Sequence, residues 1–293
     1  MGVPAMRFLF ASLLALVVPF SSFAQEKKAK QEAQLPKDVL AKKNIAYVTG
    51  GHERQKLDLY LPKESKGPLP LLVWVHGGGW KQGSKDRCPA LPWVAKGYAV
   101  ASVNYRLSQH AVYPAQIEDC QSAICWLRDH AKENNIDPGR IAAWGASAGG
   151  HLVALLGTLD DSKKGTSYRV QAVIDYFGPT DLEILQGPNP GPASPITQLL
   201  GGSGEKFKKL TRQASPIDHV NKEDPPFLIL HGDKDPLVPL NQSELLEKAL
   251  KKAGVEVELV VLKGAAHGGA QFSAPEQIQT IDNFLSKTLK ARK

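Results

Sequence analysis

Continuous apolar runs, each bounded by turn residues, recur along the chain from about residue 44 onward. They lack the alternation of apolar and polar residues that marks a strand with one face in water. Such runs predict strands buried on both faces, as in a parallel sheet covered by helices. A hairpin is predicted ahead of them, formed by Ile45–Val48 and Lys56–Leu61. The buried strands are assigned to Leu71–Val75, Tyr98–Val103, Ile141–Trp144, Ala172–Tyr176, Phe227–Leu230 and Val255–Leu262.

Helical periodicity fills the gaps between these runs. Within Gln116–Glu133, apolar residues recur every three or four positions, which makes one face of a helix apolar. Leu240–Lys252 and Glu276–Leu289 show the same pattern. Strands that alternate with helices predict an α/β fold, in which helices flank a mostly parallel central sheet. The Pro- and Gly-rich residues 178–226 are too long for an ordinary connection, and we predict that they form a short lid-like insertion.

The first 24 residues have the pattern of a secretory signal peptide. Arg7 supplies a positive charge, an apolar run follows from Phe8 to Phe20, and small residues stand at Ser22 and Ala24. The apolar run is shorter than the roughly 18 residues that a membrane-spanning helix requires. We therefore expect export to the periplasm or beyond after cleavage near Ala24, with no stable membrane anchor.

The charge balance is basic, with 36 Lys and Arg against 29 Asp and Glu and a formal net charge of +7. Part of this excess lies in residues 25–43, which are rich in Lys, Gln, Ala and Glu and are predicted to form a flexible basic arm. One domain is expected over residues 44–293. Because no nucleic-acid-binding motif accompanies the excess charge, we expect no nucleic-acid partner.

The three cysteines, Cys88, Cys120 and Cys125, allow at most one disulfide. Cys120 and Cys125 lie five residues apart on a predicted helix, where their side chains do not face each other. A disulfide, if one forms, would therefore use Cys88, and Cys125 is predicted to be a buried thiol. The spacing of the cysteines does not match that of a metal site.

The G-x-S-x-G pattern of a nucleophile elbow occurs at residues 145–149, which read Gly-Ala-Ser-Ala-Gly. The pattern follows the predicted strand Ile141–Trp144 and precedes the helix-like run His151–Leu156, which places Ser147 on a strand-to-helix turn. So tight a turn requires glycines on both sides of the serine, and the helix N-terminus favours developing negative charge. Ser147 is therefore the candidate nucleophile.

A second glycine-rich motif, residues 76–80, follows a predicted buried strand and reads His-Gly-Gly-Gly-Trp. Glycines allow backbone N–H groups to approach a substrate oxygen, and the N–H groups of Gly78, Gly79 and Ala148 are a candidate oxyanion hole. A phosphate-binding loop would carry Lys and Ser or Thr after the glycines, where Trp80 stands. Trp80 is a candidate substrate-binding residue, as a wall of the acyl pocket, with simple packing as the alternative.

A base and an acid for the serine follow later in the chain. Asp235 lies after the predicted strand Phe227–Leu230, and His267 lies in a Gly- and Ala-rich loop. A serine hydroxyl needs a base to remove its proton, and a carboxylate must fix the tautomer of that base. Asp233, two residues earlier, is the alternative acid.

Together these motifs resemble the α/β-hydrolase superfamily. Within it they are most similar to the esterase/lipase branch that includes hormone-sensitive lipase, secreted carbohydrate esterases and kynurenine-formamidase-like proteins. The resemblance covers roughly residues 44–289 and rests on HGGGW (76–80), GASAGGHL (145–152), HGDKDPLVP (231–239) and His267. The family's roles fall on residues already singled out: Ser147 as nucleophile, His267 as base, Asp235 as the acid that orients it, and Gly78, Gly79 and Ala148 as oxyanion donors.

The resemblance implies an exported serine esterase that cleaves carboxylic esters through an acyl-enzyme and uses no metal or organic cofactor. Short or aromatic acyl groups are expected, such as acetyl or feruloyl esters of plant polysaccharides, so that the partner is a small-molecule or carbohydrate-linked ester. An amidase or peptidase of formamidase-like type remains an alternative. A non-catalytic binding protein on a hydrolase scaffold is a more distant alternative, and the oligomeric state is left open.

Overall fold

An eight-stranded sheet runs through the part of the chain that the computed structural model describes, residues 36–160, 165–188 and 190–289. Its strands lie in the order β1-β2-β4-β3-β5-β6-β7-β8. Strands β3 to β8 are parallel, whereas β1 and β2 form an antiparallel edge. The strands are β1 (Val39–Ala46), β2 (Lys56–Pro62), β3 (Leu69–Val75), β4 (Ala99–Val103), β5 (Ile136–Ala146), β6 (Ala172–Tyr176), β7 (Phe227–Gly232) and β8 (Val257–Leu262).

Helices connect these strands and cover the sheet. The main helices are α1 (Ala115–Asp129), α2 (Ala148–Thr158), α3 (Leu182–Gln186), α4 (Pro195–Leu200), α5 (Lys208–Gln213), α6 (Asn241–Ala253) and α7 (Pro275–Thr288). Short 3₁₀ helices occur at Leu91–Lys96, Glu205–Phe207, Pro216–His219 and Ala270–Ser273. The predicted α/β fold with a mostly parallel sheet flanked by helices is confirmed.

The central strands are buried along almost their whole length, because helices cover both faces of the sheet. Leu71, Val73 and Val75 of β3 belong to a large apolar core together with residues of α1 and α2. Trp74 points to the opposite face, since side chains alternate along a strand, and it lies in register with Trp144 of β5. Both faces of β3 are therefore packed, which explains its unbroken apolar sequence.

The N-terminal boundary of the folded part differs from the expected one. Strand β1 begins at Val39 and pairs with β2, so the last residues of the predicted arm, 25–43, belong to the sheet. Most positions of β1 are exposed, so this edge strand has few apolar residues. For that reason its start was not recognised from the sequence. The predicted signal peptide, residues 1–24, and the arm up to residue 35 lie outside the described residues. No helix in the described part is long and apolar enough to cross a bilayer.

The predicted lid-like insertion, residues 178–226, carries the short helices α3, α4 and α5 between β6 and β7. Asp181 starts α3 by accepting a hydrogen bond from the backbone N–H of Ile184, with 2.9 Å between donor and acceptor. Gly201, with φ of +75°, ends α4 in the left-handed conformation that favours glycine. The described part of the insertion is thus a run of short helices, of which α3 has a side-chain N-cap and α4 a left-handed glycine C-cap.

The described residues contain all three cysteines, and no disulfide joins them. Cys120, rather than Cys125, is the fully buried thiol, with 2 % of its surface exposed. Cys125 is only half-buried, and its Sγ lies 3.0 Å from the carbonyl oxygen of Thr166. The prediction of a buried Cys125 was wrong because the helix turns this position toward the edge of the core.

Candidate active site

Ser147 stands on a sharp turn between β5 and α2. Its backbone has φ of +56° and ψ of −122°, a conformation that costs a non-glycine residue free energy and is held by the surrounding structure. A Cβ atom on Gly145 would lie 2.3 Å from the carbonyl oxygen of Gly149, and one on Gly149 would lie 2.0 Å from that of Val75. Both glycines of the motif are therefore required by close backbone approach.

A chain of hydrogen bonds joins Ser147, His267 and Asp235. The Oγ atom of Ser147 lies 2.8 Å from Nε2 of His267, and Nδ1 of His267 lies 2.6 Å from Oδ2 of Asp235. The carboxylate accepts from Nδ1–H, which leaves Nε2 to accept the serine proton. The structure thus brings together the three residues predicted as nucleophile, base and acid, although they are distant in sequence.

The carboxylate of Asp235 is fully buried and held on both oxygens. Its Oδ1 accepts hydrogen bonds from the backbone N–H groups of Leu237 and Val238, at 2.8 and 3.0 Å. Asp233, the alternative acid, instead accepts a hydrogen bond from the N–H of Gly264 at 2.6 Å. The local geometry therefore favours Asp235 as the partner of the histidine.

The glycine-rich loop after β3 lies beside Ser147. Gly78 and Gly79 have φ of +109° and +58°, and a Cβ atom on Gly78 would lie 2.3 Å from the carbonyl oxygen of Gln82. The three candidate oxyanion donors, Gly78, Gly79 and Ala148, line the same cavity as Ser147. Among the described residues, none of these three backbone N–H groups donates a hydrogen bond. They are therefore available to a substrate oxygen.

His76 fixes the start of this loop. Its Nδ1 donates to the carbonyl oxygen of Gly77 at 2.7 Å, and its Nε2 accepts from the guanidinium of Arg54 at 3.2 Å. The ring of Tyr105 stacks on it, and the tyrosine hydroxyl donates to the His76 carbonyl oxygen. Burial lowers the pKa of His76 to about 4, so the ring is neutral near pH 7.

Trp80 lines the cavity, and a hydrogen bond to a buried histidine holds its side chain in place. Its Nε1–H donates to Nδ1 of His151 at 3.1 Å, and Nε2 of His151 donates to the carbonyl oxygen of Ala214 at 2.7 Å. Burial lowers the pKa of His151 to about 4, which keeps both hydrogen bonds in this direction. The Trp80 side chain thus links the glycine loop to α2 and, through His151, to the insertion. The residue lines the cavity and also packs against its surroundings.

The cavity around Ser147 has a volume of about 760 Å³. One side is formed by the glycine loop, and the insertion contributes Leu185 and Ile196 on another side. Leu237, which is 67 % exposed, stands at the rim. The cavity is thus mostly apolar close to the nucleophile, a composition suited to a small ester.

Two further residues lie beside the histidine and the acid: sequence reasoning missed Phe177, and it interpreted His231 as a strand-end histidine that holds a loop through hydrogen bonds. The ring centroid of Phe177 lies 4.5 Å from that of His267. His231, whose side chain is fully buried, lies beside Asp235. Phe177 directly follows β6 and belongs to no motif, whereas His231 lies near the end of β7 and opens the motif HGDKDPLVP. In the described chain, no group of three or more His, Cys, Asp or Glu side chains is arranged to hold a metal ion.

The chain is similar to a curated esterase over most of its length. Esterase LipQ of Mycobacterium tuberculosis (strain ATCC 25618 / H37Rv) is 34% identical over 267 residues, which cover 84% of this chain and 61% of the relative. The chain spans about three fifths of the length of the curated relatives it matches.

Two solved structures match over nearly their whole length. A truncated form of a carbohydrate esterase from gut microbiota is 30% identical with a TM-score of 0.79, covering 87% of this chain and 98% of that one. The propionate-bound thermophilic esterase Est2 of Thermogutta terrifontis is 28% identical with a TM-score of 0.70, covering 88% and 97%.

The family model described as BD-FAE matches residues 57–250, about two thirds of the chain. This range contains the glycine loop, the nucleophile elbow and Asp235. The similar structures have the α/β-hydrolase fold that the motifs predicted. The chain belongs to the BD-FAE family of α/β-hydrolases.

Proposed function

We propose that this protein is a serine esterase that cleaves carboxylic esters with short or aromatic acyl groups. The observation that carries the proposal is the unbroken hydrogen-bonded chain from Ser147 through His267 to Asp235, at the floor of an apolar cavity. The esterase names of the similar proteins support the same reaction.

The proposed mechanism follows from the positions of these groups. The Ser147 hydroxyl attacks the ester carbonyl carbon while Nε2 of His267 takes its proton, and the backbone N–H groups of the oxyanion hole stabilise the negative oxygen. The protonated histidine then gives its proton to the leaving alcohol, and an acyl-enzyme forms on Ser147. Water, activated by His267, releases the acid and restores the serine.

The similar proteins support a short or aromatic acyl group. A cavity of about 760 Å³ is large enough to hold both the acyl and the alcohol parts of such an ester. One similar structure holds propionate and another is a carbohydrate esterase. We propose acetyl or feruloyl esters attached to plant polysaccharide as natural substrates, and export of the enzyme to meet them.

Labelling with a fluorophosphonate probe tests the nucleophile. The wild-type protein should label, and Ser147→Ala should not. Ser194→Ala is the matched control, because Ser194 lines the same cavity without a bond to His267. It should label like the wild type. Equal labelling of Ser147→Ala, or none of the wild type, would reject the proposal.

A substrate panel tests the specificity. We expect p-nitrophenyl acetate to butyrate to be hydrolysed best, alongside acetylated xylan and methyl ferulate. A preference for acyl chains beyond about eight carbons would contradict the proposed preference for short acyl groups. Hydrolysis of N-formylkynurenine far above that of any ester would replace the esterase by a formamidase-like amidase. Export is tested separately, by N-terminal sequencing of the protein from the periplasm or medium, where mature chains should begin near Gln25.

A further inference from the structure

A second cavity of about 430 Å³ lies next to the active-site cavity. We call it the aromatic pocket, because its walls are dominated by buried aromatic side chains: Trp74, Trp93, Trp144, Tyr176, Phe177 and Phe272. It lies on the face of the sheet opposite to α2. The side chains of protein interiors normally interdigitate and leave few voids larger than a water molecule. A space of this size, lined by rings, is therefore a candidate ligand site.

The rings of the pocket are arranged edge to face. The ring centroid of Trp144 lies 4.9 Å from that of Trp93 and 5.9 Å from that of Trp74, with interplanar angles of 85° and 78°. This is a favourable geometry for aromatic pairs, and it presents both ring faces and ring edges to an added ring. The indole N–H groups of Trp74 and Trp144 are buried and have no acceptor in the described part of the chain. An oxygen substituent that reached either one would satisfy it.

The polar groups of the pocket lie at its edge. Lys96 lines it and pairs with Asp282, while its ammonium lies 4.9 Å from the ring centroid of Trp93. Ser273, an exposed residue, also borders the opening. An apolar, ring-lined interior with polar groups at its mouth matches a small molecule with one aromatic ring and a polar substituent.

The pocket shares walls with the active site. Ala146, directly before Ser147, and Phe177 line both cavities. Gly268 and Gly269, directly after His267, also line the aromatic pocket. The Phe177 ring packs 4.8 Å from Phe272 on one side and 4.5 Å from His267 on the other, measured between centroids. A ligand in the pocket would thus contact the residues that hold the histidine loop.

We propose that the aromatic pocket binds a small molecule with a single aromatic ring, and that its occupation changes turnover through Phe177 and the His267 loop. The binding part is independent of the proposed function. The effect on turnover rests on the esterase activity, and the two are measured separately.

Binding is tested by isothermal titration calorimetry of the full chain with 4-methylphenol. Ile278→Trp fills the pocket from α7, and Ser273→Trp narrows its mouth. Leu185→Trp makes the matched change in the active-site cavity, and Val261→Trp makes it on the exposed side of β8. Circular dichroism and melting temperature confirm that each variant is folded.

One molecule of 4-methylphenol should bind per wild-type chain. Ile278→Trp and Ser273→Trp should weaken binding by at least about tenfold, an effect of the size expected when a ring-sized space is filled. Leu185→Trp and Val261→Trp should bind like the wild type. No binding to the wild type, binding that both pocket variants retain, or binding that only Leu185→Trp loses, would each overturn the site.

The coupling is tested by steady-state hydrolysis of p-nitrophenyl acetate with increasing 4-methylphenol. We expect a change in kcat with KM unaltered, and no such change in Ile278→Trp. Purely competitive inhibition that persists in Ile278→Trp would place the ring in the active-site cavity and overturn the coupling. If the wild type hydrolysed no ester, the esterase proposal would fail while the calorimetry still decided the binding site.

Discussion

Nε2 of His231 lies 3.4 Å from Oδ2 of Asp235, the oxygen that also accepts the hydrogen bond from His267. The His231 ring donates from Nε2 to the carbonyl oxygen of Val238 at 2.8 Å and accepts at Nδ1 from the hydroxyl of Ser243. Burial lowers the pKa of His231, so it does not compete with His267 as a cation beside the carboxylate. His231 therefore holds the turn that presents Asp235.

His231→Gln should lower kcat by about 10- to 100-fold and change KM little, because the glutamine cannot keep both bonds and the acid shifts relative to His267. The kinetics of p-nitrophenyl acetate hydrolysis measure this. His219→Gln is the control, since the His219 ring bonds to the carbonyl oxygen of Gln213 within the insertion. An equal loss of kcat in both variants would show that the loss does not come from the contact of His231 with Asp235.

Asp235→Asn should lower kcat by about 10⁴-fold, because an amide in this position favours the wrong tautomer of the histidine. Asp233→Asn should stay within a few-fold of the wild type, since its carboxylate only receives the N–H of Gly264. The comparison uses kcat at saturating ester. Loss of activity in Asp233→Asn with retention in Asp235→Asn would reverse the assignment of the acid.

Gly149→Ala should destabilise the fold by about 3 kcal/mol or more, because its Cβ would lie 2.0 Å from the backbone oxygen of Val75, which has no room to move. Urea unfolding followed by circular dichroism gives the free energy. Gly67→Ala is the matched change, because an added Cβ there meets no atom within 4 Å. If Gly149→Ala were as stable as Gly67→Ala, the backbone around Ser147 would be able to shift and make room for the added Cβ.

Asp175 lies on β6 and is fully buried. We therefore expect this residue to make the free energy of unfolding depend on pH. Burial raises its pKa to about 7, although its Oδ1 accepts the N–H of Gly178. The folded protein then binds a proton that the unfolded chain has released, so this residue lowers stability as the pH rises from about 4 to about 7. The slope is about 1.4 kcal/mol per pH unit in that window.

The difference in free energy of unfolding between Asp175→Asn and the wild type isolates the contribution of Asp175. The contributions of the other titrating groups are the same in both proteins and cancel in the difference. Unfolding in urea at several pH values between 4 and 8 should show the variant gaining relative stability with rising pH, up to about pH 7. A difference that is independent of pH would mean that Asp175 stays ionised in the fold. A variant that loses relative stability with rising pH would reverse the sign of the argument.

The residues on tight turns could be found from the sequence, because backbone geometry there constrains residue type locally. Gly78, Gly145 and Gly149 are required by contacts of under 3 Å, and these leave a pattern within a few positions. Ser147 and Asp235 could be placed because Ser147 directly follows one buried apolar strand and Asp235 lies three residues after another. The parallel sheet then brings the ends of those strands to one edge.

The contacts that Phe177 and His231 make with the catalytic residues could not be found in this way. The importance of the two residues comes from packing against His267 and Asp235, which is decided by how β6, β7 and the loops meet in space. An aromatic or a histidine at the end of a strand is compatible with many roles. The start of β1 was missed for a related reason, since an edge strand pairs through its backbone and carries little apolar signal.

The insertion between β6 and β7 enters the chain after the nucleophile and before the acid and base. It supplies one wall of the cavity, while the reacting groups stand on other connections. This wall and the candidate reacting groups are thus encoded in separate stretches, so a relative's insertion could be grafted here without changing Ser147, Asp235 or His267. One requirement limits such grafts: the new segment must present a carbonyl oxygen where Ala214 now accepts from His151.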